Sequence, residues 1–235
     1  MIIREIIKRL TTLIFGLFLF ALGIVLTVHS QLGASPWDVF HLGVTNHTGL
    51  SLGQVSQLVG VILVIISTFL GEIPGIGTIL NTILIGYFVD ILQANNLVPL
   101  AGNVFQQYFM LFFGIYLFGW ATYFYMRAEL GSGPRDSLML ALIKKTKKPV
   151  WLIRGIIETC ALIAGYLMGG LAGIGTVLIA GLIGFSIQHV YKLRKQDPAQ
   201  LVHVTLVDNY HFIRKLLSKS LTEEITIKQR EKRVG

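Results

Sequence analysis

The sequence predicts an all-α polytopic membrane protein. It has six transmembrane helices in an inverted 3+3 internal repeat, a short re-entrant or interfacial helix in each repeat, and a small cytoplasmic C-terminal tail. Three observations carry this expectation. The chain is 53% hydrophobic and only 14% charged, the composition of proteins that pass repeatedly through a bilayer. It repeats itself at a fixed spacing. Gly33-Ala34-Ser35-Pro36-Trp37-Asp38 returns 98 residues later as Gly131-Ser132-Gly133-Pro134-Arg135-Asp136, and Gly75-Ile76-Gly77-Thr78 returns at the same step of 98 as Gly173-Ile174-Gly175-Thr176. Finally, matching boundaries of the two copies differ in charge: where one is basic, the other is neutral.

Six apolar stretches read as spans, at about 10–29, 54–71, 75–93, 108–127, 152–169 and 173–191. Each approaches the roughly 20 helical residues that a hydrocarbon core requires. Repeat 1 occupies 1–98, repeat 2 occupies 99–195, and the tail occupies 196–235. Arg4, Lys8 and Arg9 before the first span imitate a secretory signal. Its apolar run is longer than the usual about 7–15 residues, and its twin at 108–127 has no such flank, so the span is expected to be retained. The alternative, in which 36–49 and 135–148 also cross and the repeats are parallel, gives each of those segments only roughly 21 Å of helix.

Charge sets the expected orientation. Arg4, Lys8 and Arg9 stand before span one, whereas Asn103, Gln106 and Gln107 stand before span four. Lys144, Lys145, Lys147 and Lys148 correspond to the neutral Asn46-His47-Thr48-Gly49, and Lys192, Arg194 and Lys195 follow span six where Gln93 to Asn96 follow span three. Cytoplasmic loops collect Lys and Arg. Three spans per repeat then invert the second copy and leave both termini in the cytoplasm.

The candidate site residues fall in two groups. Ser35, Pro36 and Asp38, and Ser132, Pro134, Arg135 and Asp136, form Gly/Ser/Pro turns that start short helices. Proline suits the first helical position, and an acidic side chain in the first turn meets the positive helix end. Such starts serve either as half-helices that offer N–H groups to a polar or anionic solute or as interfacial helices that merely begin well. Arg154 and Glu158 lie one turn apart inside span five, positioned to pair; charges within a membrane are expensive and mark candidate sites. The GxGT glycines lack the lysine of a phosphate loop and read as packing glycines. Asp90 reads as a snorkelling end residue, Trp120, Tyr123, Phe124 and Tyr125 as a lipid-facing or interface belt, and the lone Cys160 as a small buried hydrophobe.

No metal cluster, nucleotide fingerprint or hydrolase elbow appears, so neither enzyme chemistry nor a cofactor is expected. The basic balance fits topology, not nucleic acid. In the tail, 201–207 and 225–227 read as strands and 210–217 as an amphipathic helix, with the composition to pair with a partner or with another copy in a homo-oligomer.

The chain resembles the YitT/YczE group of bacterial integral membrane proteins. The resemblance rests on Leu32 to Asp38, Pro74 to Thr78, and their second-copy counterparts Leu130 to Asp136 and Gly173 to Thr176, and it covers about 10–192. Leu201 to Thr205 is similar to the opening of the cytoplasmic domain of YitT-type members. The resemblance implies the fold and a location in a bacterial plasma membrane. From the inverted repeat, the expected function is a transporter-like carrier of a small polar or anionic solute, embedded in the lipid bilayer, with its site between the repeats. The alternative is a non-transporting scaffold or regulator that recruits a cytoplasmic partner.

Overall fold

The computed structural model describes residues 2–196 and Leu206. The described chain forms eight helices: α1 (Ile2–His29), α2 (Pro36–His47), α3 (Leu52–Phe69), α4 (Ile76–Ala94), α5 (Val104–Arg127), α6 (Pro134–Thr146), α7 (Val150–Leu167) and α8 (Ile174–Leu193). Six of them, all but α2 and α6, are long and apolar enough to cross a membrane. With 12 and 13 residues, α2 and α6 reach only about 18–20 Å, well short of the roughly 30 Å hydrocarbon thickness.

Local chemistry sets the helix starts earlier than hydropathy alone suggests. α5 begins at Val104, not at 108, because Asn103 Oδ1 accepts the Gln106 N–H at 2.9 Å and absorbs the polar Gln106 and Gln107 into its first turn. α3 begins with a reciprocal capping box between Ser51 and Gln54, which satisfies two N–H groups that a helix start otherwise leaves open. Asp90 strengthens that start, its carboxylate accepting from the Ser51 hydroxyl at 2.6 Å and the Gly53 N–H at 2.9 Å. Asp90 is therefore a tie between α4 and α3 and does not snorkel.

The centre of the molecule is the α1–α5 pair. A Cβ on Gly16 would meet Ala121, Phe124 and Tyr125, whereas one on Gly114 would meet Gly23, Leu26 and Thr27. Position rises along α1 as it falls along α5, so the two helices run antiparallel. Glycines at the crossing let the backbones approach closely, and Leu13, Leu17, Ala21, Leu111 and Ala121 are fully enclosed around them. α8 lies beside α5 with the same direction, since Tyr116 meets Ser186 and His189 while Tyr123 meets Tyr191. α4 packs on α1 in the corresponding place. The short helices are exchanged: α2 packs on α7, with Gly165 against Phe40, and α6 packs on α3.

The two GxGT segments do the same job on opposite copies. The Gly77 N–H donates to Leu130 O at 2.7 Å, and the Gly175 N–H donates to Leu32 O at 2.7 Å. Thr78 and Thr176 each accept their own Gly75 or Gly173 N–H. The turns that receive them hold Gly33 at φ +128° and Gly131 at φ +129°, a region that only glycine occupies easily. These are packing glycines, each copy docking onto the turn of the other.

Charge is sorted by end. Arg4, Lys8 and Arg9, Arg127, the lysines 144–148 and Lys192 to Lys195 all belong to the end where α1 starts and α5 and α8 finish, where Arg9 pairs with Glu129 and Lys144 with Glu72. The opposite end, formed by residues 29–32, 44–53, 94–107 and 168–173, contains no Lys or Arg. Cys160 is exposed on α7 instead of buried, because α7 turns much of its surface away from its neighbours. The tail elements expected at 201–207, 210–217 and 225–227 lie outside the described residues, except that Leu206 is helical, not extended, and donates to Pro74 O at 3.0 Å.

Candidate functional site

The starts of α2 and α6 face each other across a cavity of about 160 Å³. Pro36 and Pro134 open the two helices. The Ser35 hydroxyl caps α2, and Gly133 stands at the same point of α6 without a side chain to do so. The walls are largely twin positions 98 residues apart: Phe20 with Phe118, Asp38 with Asp136, His41 with Met139, Gly60 with Glu158, Ile85 with Ile183. Two twin pairs touch directly. The rings of Phe20 and Phe118 lie 5.2 Å apart, and the Arg135 guanidinium lies over its twin Trp37, 5.2 Å from the ring centroid. Residues 98 positions apart in the sequence thus meet at the cavity.

Asp38 is 1% exposed. Its Oδ2 accepts from the Ser35 hydroxyl at 2.5 Å. Its Oδ1 faces Arg135 Nη2 and His41 Nδ1, both at 3.6 Å, too far for hydrogen bonds. Asp38 Oδ1 and His41 Nε2 are buried without a hydrogen-bond partner. Asp136 instead receives the Tyr125 hydroxyl at 2.9 Å, and the same hydroxyl accepts the Gly133 N–H at 3.1 Å. Arg154 and Glu158 pair at 2.9 Å along α7 and complete the charged lining.

Among the predicted residues, Ser35, Pro36, Asp38, Pro134, Arg135, Asp136, Arg154 and Glu158 all line the one cavity. Ser132 does not; its hydroxyl is 2.9 Å from that of Ser137 within its own turn. Sequence reasoning missed two residues. His41 had a readable signal, one helical turn after Asp38. Tyr125 was placed in an aromatic belt, yet it is 4% exposed and bridges α5 to the α6 start; Tyr123 too is buried at 2%, packed against Tyr191.

Ser35, Asp38 and His41 occur together but not in catalytic order. In a nucleophilic triad the imidazole stands between hydroxyl and carboxylate and takes the hydroxyl proton. Here the carboxylate stands in the middle, so His41 has no path to Ser35. The arrangement orders charges and leaves acceptors open; it does not activate a nucleophile.

Six helices long and apolar enough to cross a membrane, around a cavity lined by charged side chains, define the chain as a multi-pass membrane protein. Residues 7–192 match the profile of a family of unknown function, DUF6198, and the chain belongs to that family. It is 38% identical to an uncharacterised membrane protein, YczE, of Bacillus subtilis, over 77% of this chain and 84% of that one. An uncharacterised protein of Haemophilus influenzae is 33% identical over 77% of this chain and 82% of its own length. The Bacillus subtilis protein YyaS is 28% identical over 75% and 88%. No solved structure matches the chain.

Proposed function

We propose that the protein is a carrier of a small polar solute, built as an inverted repeat in a bacterial plasma membrane, with its site in the cavity between the copies. The observation that carries the reading is the concentration of charge there. Within residues 2–196, every Arg and Lys except Arg135 and Arg154 lies at the basic end, and those two line the cavity with Asp38, Asp136 and Glu158. A charged side chain near the bilayer centre costs about 2.5–3.5 kcal/mol on insertion scales. A packing role does not repay that for Asp38, which is 1% exposed with its Oδ1 unpartnered, whereas a polar cargo does. Half-length helices that meet start to start at a repeat interface are the arrangement that carriers use. The antiparallel α1–α5 pair supports opposite orientation of the copies, and the sorted Lys and Arg support a cytoplasmic basic end. We read the site as binding, not enzymatic, because its His is not placed on a nucleophile.

A non-transporting scaffold is the second reading. It is favoured by the internal pairing of Arg154 with Glu158 and by the single continuous basic end, a surface for an acidic partner. Untargeted metabolite profiling of cells with and without the protein, followed by uptake of the altered metabolites into proteoliposomes, separates the two. Saturable uptake supports the carrier. No altered metabolite, and no uptake of a broad small-molecule panel, supports the scaffold.

A further inference from the structure

We propose that the cavity takes a compact organic monocation with N–H donors, an amine or amidine, in competition with Arg135. The inference rests on the reading of the cavity as a solute site and adds the sign of the charge. At about 160 Å³ the space suits a molecule of roughly the size of benzene, which fills a cavity of about 150 Å³.

Beside the Arg135 guanidinium, two lining residues each hold a buried acceptor without a hydrogen-bond partner. Asp38 Oδ1 is buried and unpartnered. His41 Nδ1 faces that carboxylate; with its proton assigned there from this geometry, Nε2 carries a lone pair, and it too is buried and unpartnered. Two acceptors in one cavity call for a ligand that donates.

Each helix start already holds an anion of its own. Asp38 sits in the first turn of α2 and Asp136 in the first turn of α6, where the helix ends favour negative charge. A free anion would have to lie against both carboxylates. A cation meets them instead, and it meets the face of Trp37, an indole ring suited to cations.

Arg135 now occupies that face. It stays 3.6 Å from Asp38 and leaves Oδ1 unsatisfied. It therefore holds the place of a cation without making the bond a free amine would make. Around Arg135 and His41 stand Asp38 of α2, Asp136 of α6, and the Glu158–Arg154 pair of α7. Three carboxylates and two guanidiniums leave one negative charge, which a monocation balances; because Arg135 already covers the Trp37 face and stands against Asp38, ligand and Arg135 exclude each other there.

The test uses two probes of one shape and opposite charge, benzylammonium and benzoate, on the full chain in lipid nanodiscs, read by calorimetry. Benzylammonium is expected to bind and benzoate not. Arg135→Gln should tighten benzylammonium at least tenfold, because the tethered competitor is gone. Arg135→Lys, which keeps a tethered cation, should stay within about threefold of the parent. Asp38→Asn should weaken benzylammonium at least tenfold, and Trp37→Leu severalfold, so either variant serves if the other does not fold. Benzoate binding that vanishes in Arg135→Gln would make this an anion site and overturn the inference while leaving the solute cavity intact. Binding of neither probe to the parent or to Arg135→Gln would also overturn it; the carrier reading then stands or falls on uptake in proteoliposomes.

Discussion

Replacing Gly33 by alanine puts a Cβ at 2.7 Å from Thr176 Oγ1 and 2.8 Å from its N, and replacing Gly131 puts one at 2.7 Å from Thr78 Oγ1 and 2.8 Å from Gly75 Cα. Two of these four neighbours, Thr176 N and Gly75 Cα, are backbone atoms that are not free to move, since they belong to helix starts that dock through the Gly175 and Gly77 hydrogen bonds. Two penalties follow. A non-glycine residue at φ near +128° and +129° costs about 1–3 kcal/mol, and forcing a methyl into filled space costs about 1–3 kcal/mol more. The total, about 2–6 kcal/mol, is a large share of the about 5–15 kcal/mol that holds a domain together. Gly155→Ala and Gly184→Ala are the controls, because a Cβ there meets nothing within 4 Å; on helix propensity they should lie within about 1 kcal/mol of the parent. Unfolding in detergent, followed by tryptophan fluorescence, reads all four. If the copies are mechanically equivalent, the losses at Gly33 and Gly131 should agree within about 1 kcal/mol. Gly33→Ala as stable as Gly184→Ala would refute the docking argument, and a large loss at one turn with none at the other would refute the equivalence.

Two further outcomes are expected. In a Cys160→Ser background, cysteines at Asn46 and Asn96 should react with an impermeant reagent from outside the cell, and those at Lys147 and Lys195 only after permeabilisation; labelling of Asn46 and Lys147 from the same side refutes the inverted orientation. Asp38→Asn and Asp136→Asn should reduce uptake in proteoliposomes at least tenfold at matched amounts of folded protein. If the aspartates only start helices, each substitution instead costs about 0.3–1 kcal/mol of stability and uptake falls only in step with folded protein.

What the sequence made legible was written in residues the backbone demands. A glycine at positive φ, a proline at a helix start and a threonine that caps its own turn each have few substitutes, and these are the identities that recur at a step of 98. Arg154 and Glu158 were legible because an i,i+4 pair is a property of one helix. Long-range choices were not. Nothing in the periodicity of α2 says that it packs on α7 of the other copy instead of on its own neighbours. Asp90 looked like a snorkelling end residue because its partners, Ser51 and Gly53, sit 39 and 37 residues away. Tyr125 was lost among similar rings, since only the position of Gly133 distinguishes the one that faces inward.

The frame and the lining differ in how they treat the duplication. Backbone-setting positions match: Gly33 and Gly131, Pro36 and Pro134, Asp38 and Asp136, Thr78 and Thr176. Phe20 and Phe118, and Ile85 and Ile183, also match, but the other lining side chains differ: Trp37 faces Arg135, His41 corresponds to Met139, Gly60 to Glu158, Ser56 to Arg154, and Asn81 to Ile179. Physical chemistry gives a reason for the split. A docking hydrogen bond works equally well in both copies, so identity carries no penalty. Identity at 37 and 135 does. Two tryptophans there would remove the guanidinium that stands 3.6 Å from Asp38, and two arginines would crowd like charges in a medium that screens poorly. One of each settles the electrostatics, and it also gives the cavity one aromatic, His-bearing wall from repeat 1 and one guanidinium-bearing wall from repeat 2. A solute in such a cavity has a single preferred orientation. On the carrier reading, the like-built frames let each copy open toward its own side of the membrane, while the unlike linings ensure that the cargo is held the same way round from whichever side it came.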